Sequence, residues 1–119
     1  MKFADLDVWK RSTQLTIQVY RHLSSCKDYG FRDQITRSCL AVPSNIAEGL
    51  ERYSDKEKSR FLDIAKSSCG EFYTQTYIGI KIGLVNPEQG QAWMKEAREL
   101  SAMIGGFIKH LSATPTTSD

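Results

Sequence analysis

The sequence predicts an all-α protein folded as an antiparallel up-down-up-down four-helix bundle. Apolar residues recur at spacings of three and four in four segments, residues typical of helix ends separate the segments, and no stretch alternates as a strand would. The turns are a few residues long, so consecutive helices must run antiparallel. The chain of 119 residues has room for one domain, predicted over residues 1–112, with a disordered tail over residues 113–119.

The first helix is predicted over residues 6–25, with Asp5 as its N-cap, and residues 26–30 form the turn that follows. The second helix is predicted over residues 31–50, and Gly49 stands where a C-terminal glycine belongs. Pro43 interrupts this helix, because proline has no N–H for the Cys39 carbonyl and crowds that turn. We expect a kink there, with the freed carbonyl bonded by a side chain or by water.

The third helix begins with the strongest local signal in the chain, a capping box in which Glu57 follows Ser54 by three residues. It is predicted to continue to about Ile82. Asn86 as N-cap and Pro87 as first helical residue then start the fourth helix. Its apolar face is formed by residues at helical spacing: Trp93, Ala97, Leu100, Ile104, Phe107 and Leu111.

Composition favours a cytoplasmic protein. A basic patch for nucleic acid would have to be formed by folding or assembly. The net charge is +2, which is too small to argue for nucleic acid by itself. No segment resembles a membrane span or a signal peptide, so no membrane association is expected. Three cysteines without CxxC spacing, Cys26, Cys39 and Cys69, are expected to be reduced thiols.

The sequence gives no positive sign of catalysis, of a metal or of a cofactor. Its two histidines, His22 and His110, do not follow a glutamate by three residues, which the di-iron sites of helical bundles require. No catalytic motif is present, and a phosphate loop at Gly79 and Gly83 would need a strand, turn and helix context that is missing. We therefore predict a protein that is not an enzyme and has no cofactor.

A second apolar stripe predicts that the bundle does not act alone. An isolated bundle helix needs one apolar stripe, yet the third helix has two, and the first helix shows the same surplus in Ile17 and Tyr20. Homo-oligomerisation explains the surplus. The alternative is that these amphipathic aromatic side chains lie along the sides of their own bundle, partly exposed to solvent. The predicted interface comprises Trp9, Tyr73, Tyr77, Ile80 and Leu84.

A polar line on helix two is the most conspicuous constellation of functional side chains. Four polar residues on helix two and two on helix three are expected to face each other: Gln34, Arg37, Asn45, Glu48, Glu71 and Gln75. One interpretation is a ligand or RNA surface. The favoured one is a structural hydrogen-bonded network between helices or subunits, in which removing the partly buried Glu48 costs about 1–3 kcal/mol.

These residues also carry a resemblance that covers nearly the whole chain apart from its tail. The segment Asn45-Ile46-Ala47-Glu48-Gly49 resembles the bacterial four-helix-bundle family named for open reading frames in intervening sequences of 23S rRNA genes. Further matching residues are Phe3, Leu6, Val8, Trp9, Lys10, Tyr20, Gln34, Arg37, Val42, Pro43, Ser44, Arg52, Ser54, Phe61, Leu62, Ile64, Ala65, Ser68, Glu71 and Gln75. In this chain Ser38 and Cys39 stand where the family usually has alanines.

The resemblance implies a ring-like homopentamer similar to the accessory protein of diversity-generating retroelements, which binds nucleic acid and a reverse transcriptase. Phosphate contacts would come from basic side chains repeated around the ring: Lys10, Arg11, Arg21, Arg52, Lys56, Lys58 and Arg60. The alternative for this surface is a solvated face, since acidic residues are interleaved with its second half. The alternative for the protein is a protein-binding scaffold without nucleic-acid binding, and an enzyme with a site between subunits is a third hypothesis.

Overall fold

Four helices and a short 3-10 turn make up the part of the chain that the structure describes. A computed structural model describes residues 2–113, and those residues contain no strand. The 3-10 turn is Phe3–Asp5, and the helices are α1 (Asp7–His22), α2 (Tyr29–Leu50), α3 (Asp55–Lys81) and α4 (Pro87–Ala113). Helix α1 packs on α2 and α4, and α3 packs on the same two helices, which gives a bundle measuring 54 × 22 × 19 Å. The predicted fold class is confirmed.

Two helix starts differ from the predicted ones. Asp5 belongs to the 3-10 turn, and Leu6, whose side chain makes no capping hydrogen bond, precedes α1 instead. Helix α1 also ends at His22, three residues before its predicted end. Helix α2 begins at Tyr29, because Asp28 Oδ1 accepts a hydrogen bond of 3.1 Å from the Phe31 N–H and caps the helix earlier than expected.

The later helix ends agree with the sequence. The Ser54 hydroxyl accepts a hydrogen bond of 3.1 Å from the Glu57 N–H, as the capping box predicts. The Glu57 carboxylate, which in a full capping box bonds the Ser54 N–H, pairs with Arg60. Gly83 follows α3 with a φ of +80°, a left-handed conformation that favours glycine. Asn86 Oδ1 accepts from the Gln89 N–H at 3.0 Å at the start of α4. Helix α4 includes Ala113, which was predicted to begin the disordered tail, and residues 114–119 of that tail lie outside the described residues.

Helix α2 continues through Pro43, and a side chain from α1 reaches the carbonyl that the proline leaves free. The Thr16 hydroxyl lies 3.3 Å from the Cys39 carbonyl oxygen and 2.8 Å from the Ser12 carbonyl oxygen. The single proton of this hydroxyl is shared between the two carbonyls. Thr16 is buried, so this contact reduces the cost of an unpaired carbonyl in the core. The prediction that a side chain or water bonds this carbonyl is confirmed.

Gly49 has a different role from the predicted one, because it lies inside α2 and does not end it. A Cβ at this position would lie 2.9 Å from Phe61 Cβ and 3.2 Å from the Lys58 carbonyl oxygen. The glycine therefore lets the end of α2 approach the first turns of α3 closely. This contact holds the α2–α3 turn, residues 51–54, in place.

The core is one continuous cluster along the bundle axis. Its largest fully buried side chains are Trp93 and Phe72, whose ring centres lie 6.2 Å apart. The apolar face predicted for α4 is buried from Trp93 to Ile104, and Phe107 packs against the cluster.

Candidate nucleic-acid interface

The structure divides the predicted basic residues among three places. Arg11 and Lys10 line a cleft between α1 and α4. Arg21 is exposed on the last turn of α1, where that helix approaches the first half of α2. The remaining four cations lie at the opposite end of the bundle, around the α2–α3 turn: Arg52, Lys56, Lys58 and Arg60. A single chain therefore does not bring the seven residues together.

Arg11 is held by α4 and is poorly placed to bind a phosphate. Its guanidinium donates to Glu96 at 2.6 and 2.9 Å and to Glu99 at 2.6 Å. The hydrogen bonds to Glu96, followed by those to Glu99, raise the pKa of Arg11 above its ordinary value. Two carboxylates already neutralise this cation, so we assign Arg11 to the packing of α1 on α4.

The arginines at the α2–α3 turn are positioned more loosely. Arg52 and Arg60 place their Cζ atoms 4.6 and 5.0 Å from the centre of the Phe61 ring. Their carboxylate partners lie farther away than those of Arg11, at 3.6 Å for Glu48 and 3.3 Å for Glu57. Such exposed pairs exchange readily with solvent or with another anion.

Acidic residues balance the charge of this turn. Four acidic residues and four basic residues occupy positions 48–60, so the segment is formally neutral. Lys58 donates to the Arg52 carbonyl, which directs its ammonium group to the backbone of the turn. Tyr53 is fully exposed in the same turn. The turn thus offers an aromatic side chain among balanced charges, and it is not a strongly basic patch.

A groove between α1 and α2 is more basic than the predicted surface, and the sequence did not indicate it. It has a volume of about 510 Å³ and is lined by Tyr20, Ser24, Arg32, Asp33, Thr36, Arg37 and Leu40. Residues 20–40 carry four basic and two acidic side chains, which is a formal excess of +2. We call this site the basic groove. Only the pairing of α1 with α2 brings Tyr20 beside the two arginines, so no local motif could have revealed it.

The polar line of α2 is split in the structure. Arg37 lines the basic groove on the α1 side, whereas Gln34 and Gln75 line a shallow groove on the α3 side. Gln75 Oε1 accepts from the Ser38 hydroxyl at 2.6 Å, and Ser38 is one of the residues at which the chain departs from the resembled family. Asn45 donates to the Ala41 carbonyl of its own helix, and Glu71 is exposed. A network between subunits stays a prediction.

Glu48 contradicts the expectation that it is partly buried. Its side chain is 53% exposed and lies 3.6 Å from Arg52. Replacing Glu48 by alanine should lower the free energy of unfolding by no more than about 0.5 kcal/mol, because solvent screens such pairs. Replacing Arg11 by alanine should cost about 1 kcal/mol, because it leaves two carboxylates without their partner. Urea unfolding measures both, and an equal or larger loss for Glu48 would contradict this geometry.

The predicted oligomer interface is mostly covered by the chain itself. Trp9, Tyr73 and Ile80 are partly buried and pack against the core, and Leu84 is partly buried as well. Tyr77 is half exposed, and the structure adds two exposed neighbours that the sequence analysis did not single out, Ile78 on α3 and Ile82 directly after its last residue. We call Tyr77, Ile78 and Ile82 the α3 patch.

A second apolar surface lies on the other side of α2. Leu40 and Ile17 line a groove of about 370 Å³ between α1 and α2, which also contains Phe3, Trp9, Thr13, Thr16, Pro43, Ser44 and Ala47. We call this site the apolar groove. Leu40 also lines the basic groove, so the two grooves adjoin along the α1–α2 face.

The described residues contain no cluster suited to a metal ion, and two of the three cysteines are buried thiols. No group of three or more metal-binding side chains occurs within residues 2–113. Burial raises the pKa of Cys39 and of Cys69 to about 12, so both remain protonated thiols at neutral pH and are poor nucleophiles. None of the described helices is long and apolar enough to cross a membrane.

The sequence matches a protein-family model over residues 4–106, described as 23S rRNA-intervening sequence protein. This chain belongs to that family. The fold of this chain is similar to that of a crystal structure from Bacteroides thetaiotaomicron VPI-5482, a protein of unknown function from the S23 ribosomal protein family. The two chains are 22% identical, with a TM-score of 0.80 over 86% of this chain and 98% of the other. No curated protein matches this chain.

Proposed function

We propose that this protein is a non-enzymatic homo-oligomer, assembled as a ring, that binds RNA through phosphate contacts. The observation that carries the proposal is the presence of two different apolar surfaces on one bundle, the α3 patch and the apolar groove. The choice of RNA as partner comes from the family resemblance and from the cations that line the basic groove. The pentameric state and the similarity to the retroelement accessory protein come from the family resemblance alone.

Two unlike surfaces favour a ring over a two-fold dimer. In a two-fold dimer the same patch meets itself, whereas a protruding patch on one subunit that fits a groove on the next produces a head-to-tail contact. Such contacts close into a ring when the rotation between subunits permits it. Tyr77, Ile78 and Ile82 project from α3, and the apolar groove is concave, so the two surfaces have the shapes that a head-to-tail contact requires.

A ring also explains how a nearly neutral chain binds RNA. The net charge of +2 per subunit is repeated around the symmetry axis, so several modest basic surfaces act on one RNA molecule. Each phosphate that is neutralised releases condensed counterions, and the affinity therefore falls as salt rises.

Fluorescence anisotropy with a labelled structured RNA tests this function. We expect binding at low salt that weakens steadily towards physiological salt, with a slope that reports the number of phosphate contacts. The matched control is a variant with Lys95 and Lys109 of α4 replaced by alanine, which should bind almost as well as the wild type. Absence of binding at low salt, with the oligomer confirmed intact by light scattering, would contradict the RNA function.

A protein-binding scaffold is the second candidate, and the α2–α3 turn is the observation that favours it. Tyr53 is fully exposed next to Arg52, and tyrosine and arginine are enriched among residues that dominate protein interfaces. The balanced charge of this turn suits a protein partner better than a polyanion. An intact oligomer that does not bind RNA would favour the scaffold function.

A further inference from the structure

We infer that the basic groove between α1 and α2 binds unpaired nucleotides of RNA, with Arg32 and Arg37 contacting phosphates and the Tyr20 ring stacking on a base. The inference rests on the proposed function and names the surface and the kind of RNA. It moves the contact away from the α2–α3 turn, where the sequence placed four of the seven basic residues.

Charge is the first argument for this location. Residues 20–40 carry an excess of +2, which equals the formal charge of the whole chain, whereas residues 48–60 are neutral. Two further cations, Arg21 and Lys27, belong to this segment outside the groove lining. A phosphate that approaches the bundle is therefore attracted to the α1–α2 side before the α2–α3 turn.

The availability of the two arginines is the second argument. Arg32 lies 3.7 Å from Asp33, and its Cζ atom lies 4.8 Å from the centre of the Tyr29 ring. Asp33 is 62% exposed, so this pair is weak, in contrast to the contacts of Arg11 near 2.6 Å. Arg37 is exposed at the rim of the same groove. Both guanidinium groups can exchange solvent for phosphate oxygens, which they bind through paired N–H groups.

The serine and threonine hydroxyls of the groove are occupied, which leaves phosphate binding mainly to these arginines. Ser24 donates to the Arg21 carbonyl at 2.9 Å, and Thr36 donates to the Arg32 carbonyl at 2.7 Å. Each hydroxyl has one proton, and a carbonyl already accepts it. The groove therefore has charge as its main means of holding an anion, which suits a phosphodiester.

Aromatic exposure is the third argument, and it selects unpaired nucleotides. Tyr20 is 46% exposed and lines the groove together with Leu40, so part of its ring is open to a ligand. Bases stack on such rings only when they are not enclosed in a duplex. A volume of about 510 Å³ lies in the range of small-ligand sites and provides room for a base beside the ring.

The groove remains open in the proposed ring. Its apolar neighbour, around Ile17 and Pro43, is suited to burial against another subunit. Burying Arg32, Arg37 and Asp33 would instead remove charges from water without an established partner, which is costly. Assembly through the apolar groove and RNA binding through the basic groove therefore use adjoining but different halves of the α1–α2 face.

Anisotropy with a short labelled oligouridine at low salt tests this site on the intact oligomer. Replacing Arg32 and Arg37 together by alanine should weaken binding about tenfold and lower the salt slope by about 1.4, which corresponds to two phosphates on single-stranded RNA. Tyr20→Ala should weaken binding about tenfold, whereas Tyr20→Phe should keep most of the affinity because the ring is retained. An RNA duplex should bind more weakly than the oligouridine.

Matched variants separate this inference from the proposed function. Alanine at both Lys95 and Lys109 removes the same charge from α4 and should leave the affinity within about twofold of the wild type. If the Arg52→Ala, Arg60→Ala variant loses RNA binding and the Arg32→Ala, Arg37→Ala variant keeps it, the basic groove is not the site, although the protein still binds RNA. Displacement of oligouridine by an equal concentration of uridine monophosphate would indicate a free-nucleotide site and would overturn the RNA assignment. A wild type that does not bind removes both proposals.

Discussion

Replacing Tyr77 by aspartate should convert the assembly from about 68 kDa, five times 13.5 kDa, to monomers of 13.5 kDa. Tyr77 is half exposed on the α3 patch and lies outside the core of its own chain. An aspartate at a subunit interface would lose its hydration, and a single neighbouring cation, Lys81, whose Nζ lies 5.5 Å from the Tyr77 ring, does not offset a desolvation cost of several kcal/mol. Light scattering at micromolar concentration measures the mass, and circular dichroism should show unchanged helicity.

Tyr53→Asp is the control for this change. It introduces the same charge in place of the same side chain, but at the fully exposed α2–α3 turn outside both apolar surfaces. The variant should keep the mass of the wild type. An unaltered mass for Tyr77→Asp, or dissociation by Tyr53→Asp, would show that the α3 patch is not the interface.

Replacing Trp93 by alanine should lower the free energy of unfolding by about 3–5 kcal/mol, the largest stability loss expected from a single substitution in this chain. Trp93 is the largest fully buried side chain and lies in the second turn of α4, with the Phe72 ring 6.2 Å away and the ring of His22, the last residue of α1, 5.6 Å away. Alanine would leave a cavity that α1 and α4 cannot fill without moving. Urea unfolding followed by circular dichroism measures the loss.

Trp93→Phe separates packing from hydrogen bonding at the same position. The indole Nε1 atom has no hydrogen-bond partner among the described residues, so phenylalanine removes a buried donor and loses no bond. This variant should cost only about 1–2 kcal/mol. A cost equal to that of alanine would mean that the indole N–H is bonded, for example by buried water, and would revise the description of the core.

Local interactions explain why much of the fold could be predicted from the sequence. The caps at Ser54 and Asn86 act within one helical turn, and Gly83 needs only its own backbone conformation. The free carbonyl opposite Pro43 follows from the chemistry of proline, although the identity of its partner, Thr16, depends on how α1 packs. The N-cap predicted at Asp5 was wrong because a short 3-10 turn occupies the chain directly before the helix start, and Gly49 was wrongly predicted to end α2 because it lies inside that helix.

The functional surfaces were harder to predict from the sequence, because they depend on how the helices rotate against each other. Arg11 has the same sequence neighbours whether it faces solvent or α4, and only the packing of α1 directs it to Glu96. Arg37 and Gln34 are three residues apart on α2, yet α1 and α3 flank that helix and place them in different grooves. The basic groove likewise exists only after α1 and α2 pair. Helical spacing assigns residues to a face but does not say which neighbour covers it.

Light scattering coupled to size-exclusion chromatography, with the protein mixed with RNA at low salt, tests the central claim most directly. We predict one species whose protein mass is about 68 kDa, with RNA in the same peak, and we expect the RNA to leave this peak as salt is raised while the protein mass stays constant. A protein peak of 13.5 kDa with RNA eluting separately at low salt would contradict both the assembly and its binding of RNA.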